Sequence, residues 1–213
     1  RAMAMAAAAA AAVPKVGVMG GAFPVTNDDF MARLARRGGN AGDTARVMML
    51  ADLEMPRCSV YPDECYVSMA TLAEGLIAEG CTHVAFPCCT AHQWFERLAK
   101  EYPALEPVDM LARTKAECDA EPLGLLATSL TVEMDLWGDK SELVLPCEAT
   151  QKRVQQAVEA VGTGKSGLLE DGTKAEDVLA EAAREVEAAG AKAIILGCTD
   201  IGTYCPRDAT EIP

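Results

Sequence analysis

The chain has 213 residues, of which 50% are hydrophobic and 24% are charged, and its formal net charge is -13. Length and composition are those of a globular protein with one large domain or two small ones, and they exclude a disordered chain. The acidic balance argues against a nucleic-acid partner, because phosphates are repelled by an acidic surface. No apolar run reaches the length of about 18–20 residues that a membrane span needs.

Apolar runs alternate with segments of helical spacing in the first half of the chain. The predicted elements are a strand at 16–20, a helix at 28–37, a strand at 47–50, a helix at 66–79, a strand at 82–87 and a helix at 91–101.

The second half repeats this alternation. Its predicted elements are a strand at 123–128, a helix beginning at 131–137, a strand at 143–145, helices at 151–161 and 174–189, and a strand at 193–196. Strands that alternate with helices of this length predict an α/β fold of parallel sheets flanked by helices.

An internal repeat divides the predicted fold into two lobes. The segment beginning at Gly17 is followed 71 residues later by Cys88, and the segment beginning at Gly124 is followed 74 residues later by Cys198. In both halves the later strand ends in a turn that contains Cys and then Thr. We therefore predict two pseudo-symmetric lobes, 15–115 and 116–213, after an Ala-rich and disordered leader at 1–14.

The nine cysteines contain no C-x-x-C pair. Their odd number and scattered spacing argue against a disulfide framework and a structural metal, and favour a reducing compartment. We expect a cytoplasmic protein, although the Ala-rich leader leaves an organelle open.

The repeat singles out Cys88 and Cys198, which we expect to face one another across the cleft between the lobes. Ligands of open α/β sheets bind at such carboxyl ends of strands. Two opposed sulfurs, one thiolate and one thiol, suit the removal and return of a Cα proton on opposite faces of a carboxylic acid. For the other cysteines, burial as small apolar side chains is the simpler interpretation.

Four segments together resemble the aspartate/glutamate (Asp/Glu/hydantoin) racemase superfamily, most closely its aspartate racemase branch. They are Gly17–Gly21 (GVMGG), Phe86–His92 (FPCCTAH), Gly124–Thr128 (GLLAT) and Ile195–Ile201 (ILGCTDI). The resemblance implies an aspartate racemase-like fold and an isomerase that uses neither pyridoxal phosphate nor a metal. It also implies a small carboxylic acid such as aspartate as the substrate, and a homodimer is an expectation from the family alone.

Substrate-binding residues follow from the same resemblance. Thr90 and Thr199, with the amides of their turns, correspond to groups that hold the α-carboxylate. Arg57 corresponds to an arginine for the distal carboxylate, and Lys152 or Arg153 to its lysine counterpart.

The sequence also departs from the family pattern. Cys89 occupies the place of an Asn that would bind polar groups of the substrate, and Phe23 replaces a glycine in the first loop. The segment 208–212 resembles the family's last motif without the helix expected after it, which predicts a truncated C-terminus. These departures leave the substrate less certain than the two cysteines.

Two polar side chains near the cysteines each allow two interpretations. His92 either tunes the Cys88 thiolate or has a structural role at a helix start. Asp200 either raises the pKa of Cys198 or orients it, or is a solvated capping acid.

Other functions remain open beside racemisation. A dimethylsulfoniopropionate lyase of the same superfamily would use the thiolate for β-elimination, and its sulfonium would favour an aromatic or acidic wall, such as Phe23 or Trp94 would supply. An intact clamp of Arg57 and Lys152 would instead favour a dicarboxylate. Maleate isomerase-like and arylmalonate decarboxylase-like chemistry are more remote, and a non-catalytic protein that binds a small anion ranks last because both cysteines are present.

Overall fold

The computed structural model describes residues 14–37, 46–162 and 167–213, so residues 1–13 of the predicted leader lie outside it. The strands are β1 (Lys15–Gly20), β2 (Arg46–Ala51), β3 (His83–Ala85), β4 (Glu106–Pro107), β5 (Leu123–Leu126) and β6 (Ala193–Leu196). The α-helices are α1 (Pro24–Arg37), α2 (Pro62–Ala78), α3 (Phe95–Glu101), α4 (Met110–Ala116), α5 (Ser129–Glu133), α6 (Glu148–Gly162), α7 (Ala175–Ala188) and α8 (Thr199–Tyr204). Two 3₁₀ helices span Thr90–Trp94 and Lys140–Glu142.

The first four strands form one parallel sheet in the order β2-β1-β3-β4. β1 lies in the interior of this sheet, and its last four residues are all buried, which explains why it is an apolar run without alternation. α2 covers the sheet with an apolar stripe of Cys65, Tyr66, Met69, Ala73 and Leu76. Gly17 allows this close approach, since a Cβ there would lie 2.6 Å from the Leu76 side chain.

β5 and β6 form a second parallel sheet. Val144 joins β5 through an isolated parallel bridge to Gly124, so the strand predicted at 143–145 is present only as this bridge. α7 packs closely on the sheet because Gly124 of β5 has no side chain. Val186 of α7 and Ala191, which follows the helix, occupy the space that a Cβ would need. One apolar core between α6 and α7 holds this half together, and another around Trp137 also takes in Cys89 and Leu111 of the first half.

The predicted α/β fold of parallel sheets flanked by helices is confirmed. The four strands of the first sheet lie before the predicted boundary at residue 115, and the two strands of the second sheet lie after it. The boundary itself stays a prediction. β4, α4 and α8 are additions to the predicted elements, and the helix predicted at 91–101 divides into a 3₁₀ turn and α3. In the described part of the chain, no helix combines the length and the apolar character that crossing a membrane requires.

Candidate active site

The Cys88 and Cys198 side chains line the same pocket. Cys88 follows β3 and precedes the 3₁₀ helix at Thr90–Trp94, and Cys198 follows β6 as the residue that precedes α8. Each cysteine therefore stands at the carboxyl end of a strand, one in each sheet. The pocket has a volume of about 110 Å³.

The two turns repeat one hydrogen-bond relation. A backbone hydrogen bond from Ala91 stabilises the thiolate of Cys88, and one from Ile201 stabilises the thiolate of Cys198. In each case the donor lies three residues after the sulfur, at the start of the following helical turn. N–H groups at such a start have no partner inside the helix, so they are free to bind an anion.

Burial opposes the ionisation of both thiols. The pKa of Cys88 is held well above its usual value, first by hydrogen bonding with the Cys58 thiol and then by burial. Burial raises the pKa of Cys198, and the negative charge of Asp200 raises it further. The backbone N–H groups act in the opposite direction, so the site contains groups that both favour and oppose a thiolate.

Asp200 is a buried member of the pocket wall, with 6% of its surface exposed. It accepts a hydrogen bond from the Thr26 hydroxyl and a longer one of 3.8 Å from the Cys198 thiol. Burial raises its pKa, whereas these two donors and the charge of Arg57 lower it. Its surroundings are not those of a solvated capping acid, and they favour a role beside Cys198.

The predicted threonines both line the pocket, but their hydroxyls are engaged within the protein. Thr90 contacts the hydroxyl of Thr131 at 2.9 Å and that of Thr128 at 3.4 Å. Thr199 donates to the carbonyl oxygen of Pro87 over 3.0 Å. These bonds join the two halves of the chain around the pocket.

Arg57 also lines the pocket and is its one Lys or Arg side chain among the described residues. It lies in the loop between β2 and α2, which brings Met55 and Cys58 to the same wall. Arg57 and Asp200 thus give the wall one cation and one anion.

Lys152 is not brought to the pocket. It lies on the exposed face of α6, where its ammonium pairs with Glu148 at 2.7 Å, and its side chain is 71% exposed. Arg153 instead pairs with Asp171 at 3.0 Å. α6 contributes Gln155 and Val158 to the pocket, so within the part of the chain that the structure describes no lysine takes the place of the counterpart implied by the family resemblance.

Cys89 and Phe23, the two departures from the family pattern, both line the pocket. Cys89 is 4% exposed and packs in the apolar core around Trp137. Phe23 lies at the start of α1 with its ring against Gly162 of α6. An apolar thiol and an aromatic ring therefore stand where the family pattern has an amide and a glycine.

His92 lies outside the pocket lining and has a structural environment. Its Nδ1 lies 2.9 Å from the carbonyl oxygen of Cys88, its Nε2 accepts from the Met110 amide at 3.4 Å, and its ring packs on Phe86 at a centroid distance of 4.3 Å. Since a carbonyl only accepts, Nδ1 carries the proton of a neutral ring. Burial lowers the pKa of His92, which agrees with this neutral form.

Sequence reasoning missed several residues of the pocket wall. They are Met19, Thr26, Asn27, Met55, Met69 and Gln155. The first lies at the carboxyl end of β1, where the rule for open α/β sheets would have placed it. The others come from helix faces and a loop whose direction only the folded chain defines.

Among residues 14–37, 46–162 and 167–213, no three His, Cys, Asp or Glu side chains are grouped so that they could hold a metal ion. Among the described residues, the ionisable groups of the pocket are four thiols, one carboxyl group and one guanidinium, namely those of Cys58, Cys88, Cys89, Cys198, Asp200 and Arg57.

The fold has solved counterparts. Picrophilus torridus aspartate racemase is similar over 94% of this chain and 87% of its own, with a TM-score of 0.73 and 19% identity. An aspartate racemase homologue from Pyrococcus horikoshii is similar over 93% and 91%, with a TM-score of 0.68 and 17% identity. Glutamate racemase from Thermus thermophilus is similar over 91% and 73%, with a TM-score of 0.55 and 20% identity. The chain therefore has an aspartate racemase-like fold.

Comparison of the amino-acid sequence assigns the family more specifically than the fold does. The sequence model of Asp/Glu/Hydantoin racemase matches residues 16–213, which is almost the whole chain. The protein belongs to the Asp/Glu/Hydantoin racemase family.

Proposed function

We propose that this protein is a cofactor-independent amino-acid racemase that moves the Cα proton of a small carboxylic acid between Cys88 and Cys198. The observation that carries the proposal is that both thiols line one pocket, each with a helix-start N–H group three residues on. Membership of the racemase family supports the reaction type.

In the proposed reaction, one cysteine begins as a thiolate and the other as a thiol. The thiolate removes the Cα proton from one face, and the thiol donates its proton to the other face, which inverts the carbon. The two sulfurs end with their protonation states exchanged, so the reverse reaction uses the same groups. The N–H groups of Ala91 and Ile201 stabilise whichever sulfur is ionised.

We propose aspartate or a related small dicarboxylic acid as the substrate. Arg57 is the cation available in the wall for a carboxylate, and a guanidinium binds such a group through two parallel hydrogen bonds. A volume of about 110 Å³ suits a molecule with few heavy atoms. Because Lys152 lies outside, a second carboxylate would depend on neutral groups such as Asn27 and Gln155.

The proposal is tested by incubating the protein with L-aspartate, and separately with D-aspartate, in D₂O. Deuterium at Cα and formation of the opposite enantiomer are the expected results for the wild type. Cys88→Ser and Cys198→Ser should each abolish racemisation, because inversion needs an acid and a base on opposite faces. Cys89→Ser is the matched control and should stay active, since its sulfur is outside the proposed relay. Racemisation that persists in both single variants would overturn the two-thiol mechanism.

A dimethylsulfoniopropionate lyase is the second candidate function, and the composition of the wall favours it. The aromatic ring of Phe23 and the carboxyl group of Asp200 are the kinds of group that attract a sulfonium cation, although Trp94 is not in the lining. A thiolate would remove the proton beside the carboxylate, and the C–S bond would break to release dimethyl sulfide and acrylate. Release of dimethyl sulfide, without deuterium exchange into aspartate, would select this function over racemisation.

A further inference from the structure

Three cysteine side chains meet at one edge of the pocket, and the proposed reaction uses only one of them. Cys58 lies in the loop before α2, and its sulfur is 3.0 Å from that of Cys65 in the first turns of α2. Cys58 and Cys88 pack against the same apolar core as Cys65. Cys58 is half-buried on the pocket wall, whereas Cys65 is fully buried behind it.

We propose that Cys58 and Cys65 form a reversible disulfide, and that this bond fixes the Cys58 loop of the pocket wall to α2. A disulfide bond is about 2.05 Å long, so the two sulfurs need to approach by only about 1 Å. The loop that carries Cys58 also carries Met55 and Arg57, so the bond would fasten this part of the pocket wall to α2. The pair is seven residues apart in the sequence and needs no rearrangement of either sheet.

A hydroperoxide is the oxidant class that we assign to this pair. Hydrogen bonding with Cys65 raises the pKa of Cys58 to about 12, so the reacting group starts as a thiol. Its sulfur attacks one oxygen of the peroxide as its proton leaves, the S–O bond forms as the O–O bond breaks, and Cys58 becomes a sulfenic acid. The other oxygen takes up that proton and leaves as an alcohol, or as water from hydrogen peroxide. The Cys65 sulfur then attacks the Cys58 sulfur, the S–O bond breaks, and the hydroxyl leaves with the Cys65 proton as water. The two sulfurs together lose two electrons, which the peroxide accepts.

The disulfide is tested in the full chain carrying Cys147→Ser, because Cys147 is the exposed cysteine among the nine and would otherwise link two molecules. After treatment with hydrogen peroxide and alkylation of free thiols, the protein is digested without reduction by a protease that cleaves after glutamate. Glu64, Glu74 and Glu79 then place Cys58 and Cys65 in separate peptides, and Cys88 in a third. The expected product is a linked pair of the Cys58 and Cys65 peptides that dithiothreitol separates.

Cys65→Ser should abolish this linkage, and Cys118→Ser, which changes another half-buried cysteine, should not. A Cys58–Cys88 linkage, or the absence of a Cys58–Cys65 linkage after oxidation, would overturn the proposal. The measurement is made without a substrate, so it does not depend on the proposed racemase activity.

Discussion

Asp200 places a carboxyl group beside one of the two proposed catalytic sulfurs, inside a wall that excludes most water. Thr26 donates to one of its oxygens and the Cys198 thiol to the other, so the acid is both anchored and directed at the sulfur. A negative charge at this place disfavours a thiolate at Cys198. The same charge also raises the pKa of Cys88, as a smaller effect than burial there.

Replacing Asp200 by asparagine should lower the pKa of Cys198, because the amide keeps a hydrogen-bonding oxygen and removes the charge that raises this pKa. At a fixed pH below that pKa, the alkylation rate of Cys198 should increase about tenfold for each unit of the decrease. The measurement is iodoacetamide labelling across a pH series, read by mass spectrometry. Asp177→Asn, an exposed change on α7, is the control and should leave the rate unaltered.

His92 makes a prediction about acid stability. Its pKa is lowered in the folded protein, whereas its ordinary value is 6.5, so the unfolded chain binds a proton that the folded chain does not. Stability is therefore full above pH 6.5 and falls as the pH decreases towards the folded-state pKa, by up to about 1.4 kcal/mol per pH unit. Urea unfolding between pH 7.5 and 5 should show this slope decreasing in His92→Gln. The slope should persist in His83→Gln, which changes a half-buried histidine, provided that each variant is compared with its own value at the higher pH.

Residue identities in the sequence predicted part of this site and not the rest. Cys88 and Cys198 were found because a repeated strand-turn unit places its cysteine at the end of a strand, where position follows from topology. Lys152 was assigned by resemblance alone, and one turn of a helix decides whether a side chain reaches a pocket or the solvent. Thr26 is contributed by α1 and contacts Asp200 174 positions later, a contact for which the sequence holds no local signal.

Among the elements, the long strands and helices were predicted and the short ones were not. β1, α2 and α7 have apolar patterns over several turns or a whole strand, so their periodicity is clear. β4 has two residues and α8 has six, which is too short for a period to be read. The strand predicted at 82–87 ends at Ala85, and the chain then turns through Pro87, which brings Cys88 to the pocket.

The contact between β5 and α7 depends on a glycine. A Cβ at Gly124 would lie 2.3 Å from the Val186 side chain and 3.1 Å from Ala191. Gly124→Ala should therefore lower the free energy of unfolding by about 1–3 kcal/mol, as overpacked core positions do. Urea denaturation monitored by circular dichroism measures the difference.

Gly202→Ala is the matched control for that change. Gly202 lies in α8 with nothing within 4 Å of a built Cβ, so alanine should be neutral or stabilise by about 0.5–1 kcal/mol through helix propensity. Equal losses in the two variants would contradict the argument from packing.

At the scale of the whole molecule, the two sheets are joined by buried polar contacts around the pocket. Thr26 reaches Asp200, Thr90 reaches Thr131, and Thr199 reaches the Pro87 carbonyl, each from one half of the chain to the other. If one half unfolded alone, it would leave these groups without partners in the other. The halves should therefore unfold together.

The two tryptophans test this directly, because Trp94 lies in the core of the first sheet and Trp137 in that of the second. Trp94→Phe leaves a reporter of the second half, and Trp137→Phe leaves a reporter of the first. In each variant the fluorescence midpoint in urea should coincide with its circular dichroism midpoint. Separate midpoints would show that the halves unfold independently.

The double variant Thr26→Val with Thr199→Val removes two of the bridging hydroxyls. It should lower the common midpoint, and it should separate the two reporters if these contacts provide the coupling. Thr71→Val, which changes a hydroxyl bonded within α2, is its control.

Because Cys88 ends a strand of one sheet and Cys198 a strand of the other, neither sheet alone determines the gap between the two sulfurs. That gap depends on how the two sheets pack against each other. A side chain that packs between the two halves, such as Phe23 against Gly162, can then change the gap without moving either cysteine within its own sheet. Substitutions at the contact between the two halves could therefore change the distance between the sulfurs while both cysteines are retained.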